Sequence, residues 1–343
     1  MRGPLPEPWM MTDAAGLAPR VISGDRRALA RAITLVESAR ADHRAQAQAL
    51  MLALRATGRQ ALRIGLSGTP GVGKSTFIES FGLMLTGQGL RVAVLAVDPS
   101  SARSGGSILG DKTRMDLLSR DPRAFIRPSP SQTQLGGVAR RTREAVALCE
   151  AAGFDVVLIE TVGVGQSETM VDDLCDLFVL LLAPAGGDGL QGVKRGIMEM
   201  ADLILVNKAD GDLRPAALRT RADYADALRL LRRRPQDPGG FPKAMAVSAT
   251  ERAGLTEAWA EMQALAAWRR DGGHWQARRA AQARHAFEDE VRHGLLAALA
   301  NQAAQAEMAR LGQAVEAGQT TPEAAAASLL RLLDRAGDPP SEI

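Results

Sequence analysis

Apolar and polar positions follow two different periodicities along the chain. Within residues 25–56 the apolar positions recur at helical spacing, for example at Leu29, Ile33 and Val36, which predicts two helices. From residue 62 onward short apolar runs alternate with helical segments, and this predicts a doubly wound, mostly parallel α/β sheet flanked by helices. The predicted strands are Leu62–Ser67, Arg91–Val97, Ala124–Arg127, Asp155–Glu160, Leu177–Ala183, Leu203–Asn207 and Ala244–Ser248.

The chain beyond about residue 266 has no strand pattern. Phe287, Val291 and Leu295 recur every four residues, and Thr321 with Pro322 supplies a cap residue and a first-turn proline for a last helix. Amphipathic helices cannot bury their apolar stripes alone, so they pack on the rest of the chain or on a second subunit, and we favour the second subunit. The predicted organisation is an N-terminal helical extension (1–58), a sheet domain (59–265) and a C-terminal helical dimerisation arm (266–343).

Composition narrows the classes of function. Of the 343 residues 46% are apolar but only 3% are aromatic, which argues against a platform that stacks nucleic-acid bases, and a net charge of +3 does not call for a nucleic-acid partner. Cys149 and Cys175 lie in apolar stretches without a CxxC partner, so we expect neither a disulfide framework nor a zinc site. The first twenty residues lack an apolar signal region, and the longest apolar run, Leu177–Ala183, is too short to span a bilayer. We therefore expect a cytoplasmic protein without a membrane partner.

A glycine-rich segment follows the first predicted strand. Gly68-Thr69-Pro70-Gly71-Val72-Gly73-Lys74-Ser75 satisfies G-x-x-x-x-G-K-[ST] between a strand and a helix, the context of a P-loop NTPase. Small residues let successive backbone N–H groups surround a triphosphate, and the helix N-terminus adds its positive end. We predict that Lys74 reaches the β- and γ-phosphates and that the Ser75 hydroxyl binds Mg²⁺.

A second motif selects the base. Asn207-Lys208-Ala209-Asp210 lies at the end of the sixth predicted strand, where parallel sheets bind ligands. Asp210 can accept hydrogen bonds from N1–H and the 2-amino group of guanine, whereas adenine would leave the carboxylate facing an acceptor, so the motif predicts GTP. Lys208 is expected to lie along the base and Asn207 to tie the loops together. Beside Ser248, the amide of Ala249 can donate to guanine O6.

Further polar residues end neighbouring strands. Asp98 and Glu160 are expected on the same rim as the phosphate loop, where hard oxygen ligands suit Mg²⁺. Asp111 lies in a glycine-rich segment between them, which is typical of a switch that orders around a metal-bound γ-phosphate. Gly163 follows Glu160 in a sequence similar to the loop that senses the γ-phosphate in switch GTPases. Lys194, one of only five lysines, either meets phosphate or a partner, or belongs to a solvated loop.

These motifs together closely resemble the MeaB/ArgK family of methylmalonyl-CoA mutase-associated GTPases, whose human relative is the protein of the cblA type of methylmalonic aciduria. The resemblance covers roughly residues 25–335, and the long middle motifs are specific. The segments that carry it are 68–76, which ends in Thr76, and 97–101, 105–115, 125–130, 160–168, 187–199 and 207–210.

The resemblance implies a homodimeric P-loop GTPase that binds GTP or GDP with Mg²⁺ and hydrolyses GTP to GDP and phosphate. It also implies a chaperone role toward an adenosylcobalamin-dependent acyl-CoA mutase such as methylmalonyl-CoA mutase, in which the GTPase gates cofactor loading and protects or reactivates the mutase. By that similarity Gln191 and Lys194 belong to a third switch, and the metal set is Ser75, Asp98, Asp111 and Glu160. The candidate catalytic residues are Lys74, Asp98, Glu160 and Lys194.

Two other functions share this fold class or this family. A nickel-type metallochaperone GTPase needs soft or imidazole ligands, for which two isolated cysteines and four scattered histidines are a poor set. A protein kinase of a transport system needs a segment that binds the phosphate acceptor, and the sequence contains no recognisable one.

Overall fold

A parallel β-sheet forms the centre of the fold. The computed structural model describes residues 14–38, 40–97, 115–128, 135–161, 167–184, 195–231 and 234–336. Its strands are β1 (Leu62–Gly68), β2 (Val92–Val97), β3 (Ala124–Arg127), β4 (Val156–Thr161), β5 (Leu177–Leu182), β6 (Leu203–Val206) and β7 (Lys243–Ala246). They pair in the order β3-β2-β4-β1-β5-β6-β7, and every pair is parallel. The predicted doubly wound α/β fold is therefore confirmed, and no strand end differs from its predicted position by more than two residues.

Helices cover both faces of this sheet. They are α1 (Ala14–Ile22), α2 (Arg26–Glu37), α3 (Ala41–Arg55), α4 (Lys74–Gly87), α5 (Asp116–Arg120), α6 (Leu135–Ala151), α7 (Ser167–Asp172), α8 (Arg195–Met200), α9 (Arg214–Arg229), α10 (Leu255–Asp271), α11 (His274–Leu299), α12 (Gln302–Glu316) and α13 (Pro322–Ala336). The two helices predicted within residues 25–56 are α2 and α3, and α1 precedes them.

The alternation of side chains along each strand creates two cores. Ile64 and Leu66 of β1 face α4 and α10, where Phe77 stacks on Phe81 at 5.3 Å between ring centroids and Trp259 meets Phe81 edge-on. The opposite face packs against α1, α2, α3, α6, α7, α8 and α9. Every residue of β2, β4, β5 and β6 is buried, as expected for strands covered on both faces.

The chain divides into two compact units, Met1–Ala280 and Ala281–Ile343. The first contains the sheet together with α1, α2 and α3. The second contains α12 and α13, which share a small core of Leu311, Ala325 and Leu329. Phe287, Leu295 and Leu296 of α11 are exposed. In the part of the chain that the structure describes, no helix combines the length and apolar character that a membrane span requires.

Candidate nucleotide site

The glycine-rich loop leaves the sheet at the end of β1 and enters α4 at Lys74. A Cβ atom at Gly68 would lie 2.4 Å from the carbonyl oxygen of Leu181 on β5, so only glycine fits where the loop begins. Gly71 and Gly73 have φ angles of +83° and +87°, which side chains other than glycine rarely adopt. These glycines allow the backbone to turn sharply, so that the first turn of α4 begins beside the end of β1.

Lys74 lies over this loop. Its Nζ donates to the carbonyl oxygen of Gly68 at 2.7 Å and more weakly to that of Thr69 at 3.4 Å. Burial lowers the pKa of Lys74 below its usual value, and the negative charge of Glu160 offsets only part of that shift. Since burial disfavours the ammonium charge, an anion bound in the loop would stabilise that charge and raise the pKa again.

Glu160 and Thr161 end β4 beside the phosphate loop. Glu160 is 5% exposed and lies close enough to Lys74 to influence it electrostatically. The hydroxyl of Thr161 donates to Ser67 Oγ at 3.1 Å, and both side chains are fully buried. Sequence reasoning did not single out this hydroxyl pair, although a polar residue at the end of each of two apolar strands was a visible signal. The pair joins the strand before the phosphate loop to the strand that carries Glu160.

Asn207 connects the phosphate loop with the loop after β7. Its Nδ2 donates to the carbonyl oxygen of Val72 at 2.9 Å, and its Oδ1 accepts from the amide of Ala249 at 3.0 Å. A Cβ at Gly73 would lie 2.9 Å from Asn207 Nδ2, so glycine at 73 also makes room for this contact. The predicted role of Asn207 as a tie between loops has its geometric counterpart here, whereas the Ala249 amide points to Asn207 rather than outward.

The remaining base-motif residues lie on the same rim. Lys208 has a left-handed backbone, with φ +58°, and its Nζ donates to the carbonyl oxygen of Gly71 at 2.8 Å. Its aliphatic stem therefore runs along the phosphate loop. The hydroxyl of Ser248 donates to the carboxylate of Asp210 and accepts from the amide of Glu251 at 3.0 Å. Ser248 thereby fixes the direction of the Asp210 carboxylate.

The other predicted site residues differ in exposure, and some of them lie outside the described residues. Ser75 is half-buried in the first turn of α4, Pro70 and Thr76 are exposed, and Thr69 is half-buried. Asp98, Asp111, Gly163, Gln191 and Lys194 lie outside the described residues. Among the described residues, no group of three or more His, Cys, Asp or Glu side chains is placed to hold a metal ion.

A strand, a glycine-rich loop, a helix and a bonded Asn-Lys-x-Asp loop thus meet on one rim, as the predicted guanine-nucleotide site requires. The profile of the methylmalonyl-CoA mutase-associated GTPase MeaB matches residues 29–304. The chain belongs to the MeaB family. It is accordingly a P-loop GTPase.

Individual relatives of this MeaB-family chain agree with the assignment. GTPase ArgK of Escherichia coli is 52% identical over 240 residues, which cover 70% of this chain and 72% of ArgK. The mitochondrial methylmalonic aciduria type A homolog of Mus musculus is 56% identical over 253 residues, which cover 71% of this chain and 60% of the mouse protein. The crystal structure of LAO/AO transport system kinase covers 97% of this chain and is itself covered completely, with a TM-score of 0.72 and 36% identity.

Proposed function

We propose that this chain hydrolyses GTP to GDP and inorganic phosphate and uses that cycle as a chaperone for an adenosylcobalamin-dependent acyl-CoA mutase. In this role it gates the loading of the cofactor and protects or reactivates the mutase, with methylmalonyl-CoA mutase as the expected partner. The observation that carries the proposal is the bonding of Asn207 to both Val72 and Ala249, because it holds a phosphate loop and a base-reading loop in one site. Family membership supports the choice of partner.

The phosphate end of the proposed site uses backbone and cation together. Amide groups of the loop that includes Gly71 and Gly73 surround the phosphates, and Lys74 exchanges its carbonyl contacts for the β- and γ-oxygens. This exchange suits a lysine whose pKa is lowered by burial, since the triphosphate supplies the missing negative charge.

Magnesium fits the donor set of this rim. The hydroxyl of Ser75 and the carboxylate of Glu160 are hard oxygen donors of the kind that Mg²⁺ prefers, and we assign Asp98 and Asp111 to the same set. When bound, Mg²⁺ supplies charge neutralisation at the phosphate oxygens. Lys74 adds a fixed positive charge where negative charge develops during phosphoryl transfer. We assign Gly163, Gln191 and Lys194 to the loops that respond to the γ-phosphate.

The base end of the site reads guanine. Asp210, oriented by Ser248, accepts from N1–H and the 2-amino group, while the stem of Lys208 covers one face of the base. Adenine has no 2-amino group and presents a lone pair at N1, so it would leave the Asp210 carboxylate without a donor. The site therefore selects GTP over ATP.

We also propose that the protein is a cytoplasmic homodimer joined partly through its C-terminal helices. The exposed side chains of Phe287, Val291 and Leu295 on α11 support this, because residues four positions apart share one helix face and an apolar face is stabilised by burial against a partner.

The test measures nucleotide turnover with and without the partner. The isolated protein is expected to release inorganic phosphate slowly, at roughly 10⁻⁴ to 10⁻² s⁻¹, and faster when methylmalonyl-CoA mutase is added. Lys74→Ala should abolish both the release and the response to mutase. Lys243→Ala is the matched control, because Lys243 begins β7 and forms an ion pair with Glu261. This substitution should leave both the phosphate release and the response to mutase unchanged. If mutase alters neither nucleotide affinity nor turnover, the chaperone proposal is wrong, since coupling of binding is reciprocal.

A further inference from the structure

Two of the oxygen donors assigned to magnesium lie on different elements of the fold. Ser75 belongs to the first turn of α4, whereas Glu160 lies near the end of β4. Magnesium accepts only a narrow range of donor distances, about 2.0–2.1 Å, in a nearly octahedral arrangement. Whatever fixes the end of β4 relative to the start of the phosphate loop therefore decides whether both donors can reach one ion.

Backbone pairing between β1 and β4 ends just before this loop. Leu66 lies opposite Glu160, which is the last β1–β4 pair in the part of the chain that the structure describes. Ser67 pairs with Leu180 of β5 on its other side, and Gly68 then begins the phosphate loop. Beyond the pair of Leu66 and Glu160, the connection between β4 and the loop consequently depends on side chains.

A hydroxyl pair makes this connection. Thr161 follows Glu160, and its hydroxyl donates to Ser67 Oγ at 3.1 Å and lies 3.5 Å from the carbonyl oxygen of Leu66. Both side chains are fully buried, so bulk water cannot take the place of either hydroxyl. On the other side of β4, the backbone of Thr161 pairs with Val97 of β2. One residue thus joins the carboxyl ends of β1, β2 and β4.

These hydroxyls act on the site from the opposite face of the sheet. Successive side chains of a strand alternate between the two faces. Glu160 shares the α4 face with Leu158, whereas Thr161 shares the other face with Ile159. A contact on that other face can influence a ligand only by setting the backbone of β4, and it leaves the amide groups of the phosphate loop as they are.

We infer that Thr161 is a positioning residue of the magnesium–nucleotide site, whose hydroxyl holds Glu160 at a fixed distance from the phosphate loop through Ser67. This inference rests on the proposed function, because it deepens the metal site assigned there. The loop at Gly68–Ser75 and the carboxylate of Asp210 bind phosphates and base without the metal. Loss of the Thr161 hydroxyl should therefore weaken the magnesium-dependent part of the nucleotide affinity and spare the rest.

The test measures nucleotide binding by Thr161→Val in the full-length chain. The dissociation constant of a fluorescent, non-hydrolysable GTP analogue is determined in Mg²⁺ and again in EDTA, and the wild type should bind more tightly in Mg²⁺. In Thr161→Val this advantage of Mg²⁺ should shrink about fivefold or more, as expected for the loss of one net hydrogen bond, while the dissociation constant in EDTA stays as in the wild type. Thr161→Ser keeps the hydroxyl and should restore the advantage.

Thr86→Val is the matched control. It makes the same exchange at another buried threonine, whose hydroxyl donates to the carbonyl oxygen of Leu83 at 3.2 Å near the end of α4. The advantage of Mg²⁺ should remain that of the wild type in this variant. Any change in melting temperature should be similar in Thr86→Val and Thr161→Val, because each removes one buried hydroxyl.

A double-mutant cycle with Ser67→Ala separates positioning from a general loss of stability. Ser67→Ala should reproduce the effect of Thr161→Val, and the double variant should lose no more than either single variant, because all three remove the same contact. Additive losses, an unchanged advantage of Mg²⁺ in Thr161→Val, or a wild type that binds equally in Mg²⁺ and EDTA would each overturn the inference. A wild-type chain that did not bind the analogue at all would instead refute the proposed function.

Discussion

The two rims of the sheet treat their polar residues in opposite ways, although the same strands build both. At the carboxyl ends of β1 and β6, Lys74 and Lys208 donate to loop carbonyl oxygens, which are neutral acceptors that a phosphate can replace. At the amino ends of β5 and β6, Asp176 and Asp202 are buried and already bonded to arginine side chains. The carboxyl rim therefore offers positive charge to a ligand, whereas the charges of the amino rim neutralise one another.

Carboxylates and arginine side chains form a network of charges at the amino rim. Asp202 Oδ1 accepts from Arg234 at 2.7 Å and from Arg269 at 2.6 Å, and Asp237 Oδ1 accepts from Arg269 at 2.7 Å. Glu150 accepts from Arg63 at 2.7 Å and from Arg279 at 3.3 Å. The members are the carboxylates of Glu150, Asp176, Asp202 and Asp237 and the guanidinium groups of Arg63, Arg234, Arg269 and Arg279.

Because of this difference, we expect one rim to contribute mainly to nucleotide binding and the other mainly to stability. Buried ion pairs with full hydrogen bonding gain little net stability over apolar packing, but removal of one partner is strongly destabilising. Charges that face a ligand act on the free energy of binding instead. We therefore expect substitutions on the carboxyl rim to change nucleotide selectivity with little effect on the melting temperature, and substitutions on the amino rim to do the reverse.

The largest effect is expected for Asp210→Asn. Asparagine can accept from N1–H and donate to the carbonyl oxygen that xanthine carries at position 2, but its amide group faces the 2-amino group of guanine. The preference for GTP over XTP should therefore fall by about 10⁴-fold or more, measured as the ratio of the two dissociation constants by calorimetry.

The matched control for this substitution is Asp212→Asn, which changes an exposed carboxylate two positions along the chain. It should leave the ratio of GTP to XTP affinity unchanged, and neither variant should shift the melting temperature appreciably. An Asp210→Asn protein that still preferred GTP would show that another residue reads the base.

The next largest effect concerns the amino rim. Arg269→Met leaves Asp202 and Asp237 buried with fewer compensating charges, which should lower the free energy of unfolding by about 3–5 kcal/mol in urea titrations. Arg270→Met is the control on the same helix, because Arg270 is exposed and only covers the Trp275 ring at 4.2 Å, an interaction worth about 0.5–1 kcal/mol. A similar loss of unfolding free energy in both variants would mean that the buried network stabilises the fold no more than an exposed arginine does.

The pH dependence of the stability lost in Arg269→Met, relative to the wild type, sharpens this test. Burial raises the pKa of Asp202, but the charges of Arg269 and Arg234 outweigh it and hold the pKa below its usual value. A carboxyl with a lowered pKa in the folded state stabilises the fold above its unfolded pKa of about 4, and the stabilisation is lost as the pH falls through the folded value. In Arg269→Met the pKa rises, so the stability difference from the wild type should be largest near neutral pH and shrink toward pH about 4. A difference that did not depend on pH would point to lost packing rather than lost charge.

Much of the fold followed from local sequence, because buried parallel strands are continuous apolar runs and a phosphate loop needs glycines at fixed spacing. α1 did not follow, since Pro19 in its interior argues against a helix, but burial of Leu17 and Val21 overrides that cost. The amino-rim network was equally hidden. Arg269 and Asp202 lie 67 positions apart, and only the folded sheet brings them together.

The candidate site was predictable as a set of loops but not as a set of bonds. The sequence placed Asn207 and Ala249 on one rim, yet which atom each would contact depends on the close approach at Gly73. The donation of the Ala249 amide to guanine O6 stays a prediction, and it requires that amide to turn from Asn207 or to share its hydrogen.

The smallest effect is expected for Ser248→Ala. The substitution removes a hydroxyl that donates to Asp210 and accepts from the Glu251 amide, so Asp210 keeps its charge but loses its fixed direction. Loss of one hydrogen bond with a net contribution of about 1 kcal/mol should weaken the affinity for GTP about five- to tenfold. GTP should still bind more tightly than ATP. Thr250→Ala, which alters an exposed hydroxyl in the same loop, should bind GTP as the wild type does. If Ser248→Ala bound GTP equally well, the carboxylate of Asp210 would have to be oriented by the base itself, and the carboxyl rim would be less preorganised than its bonds suggest.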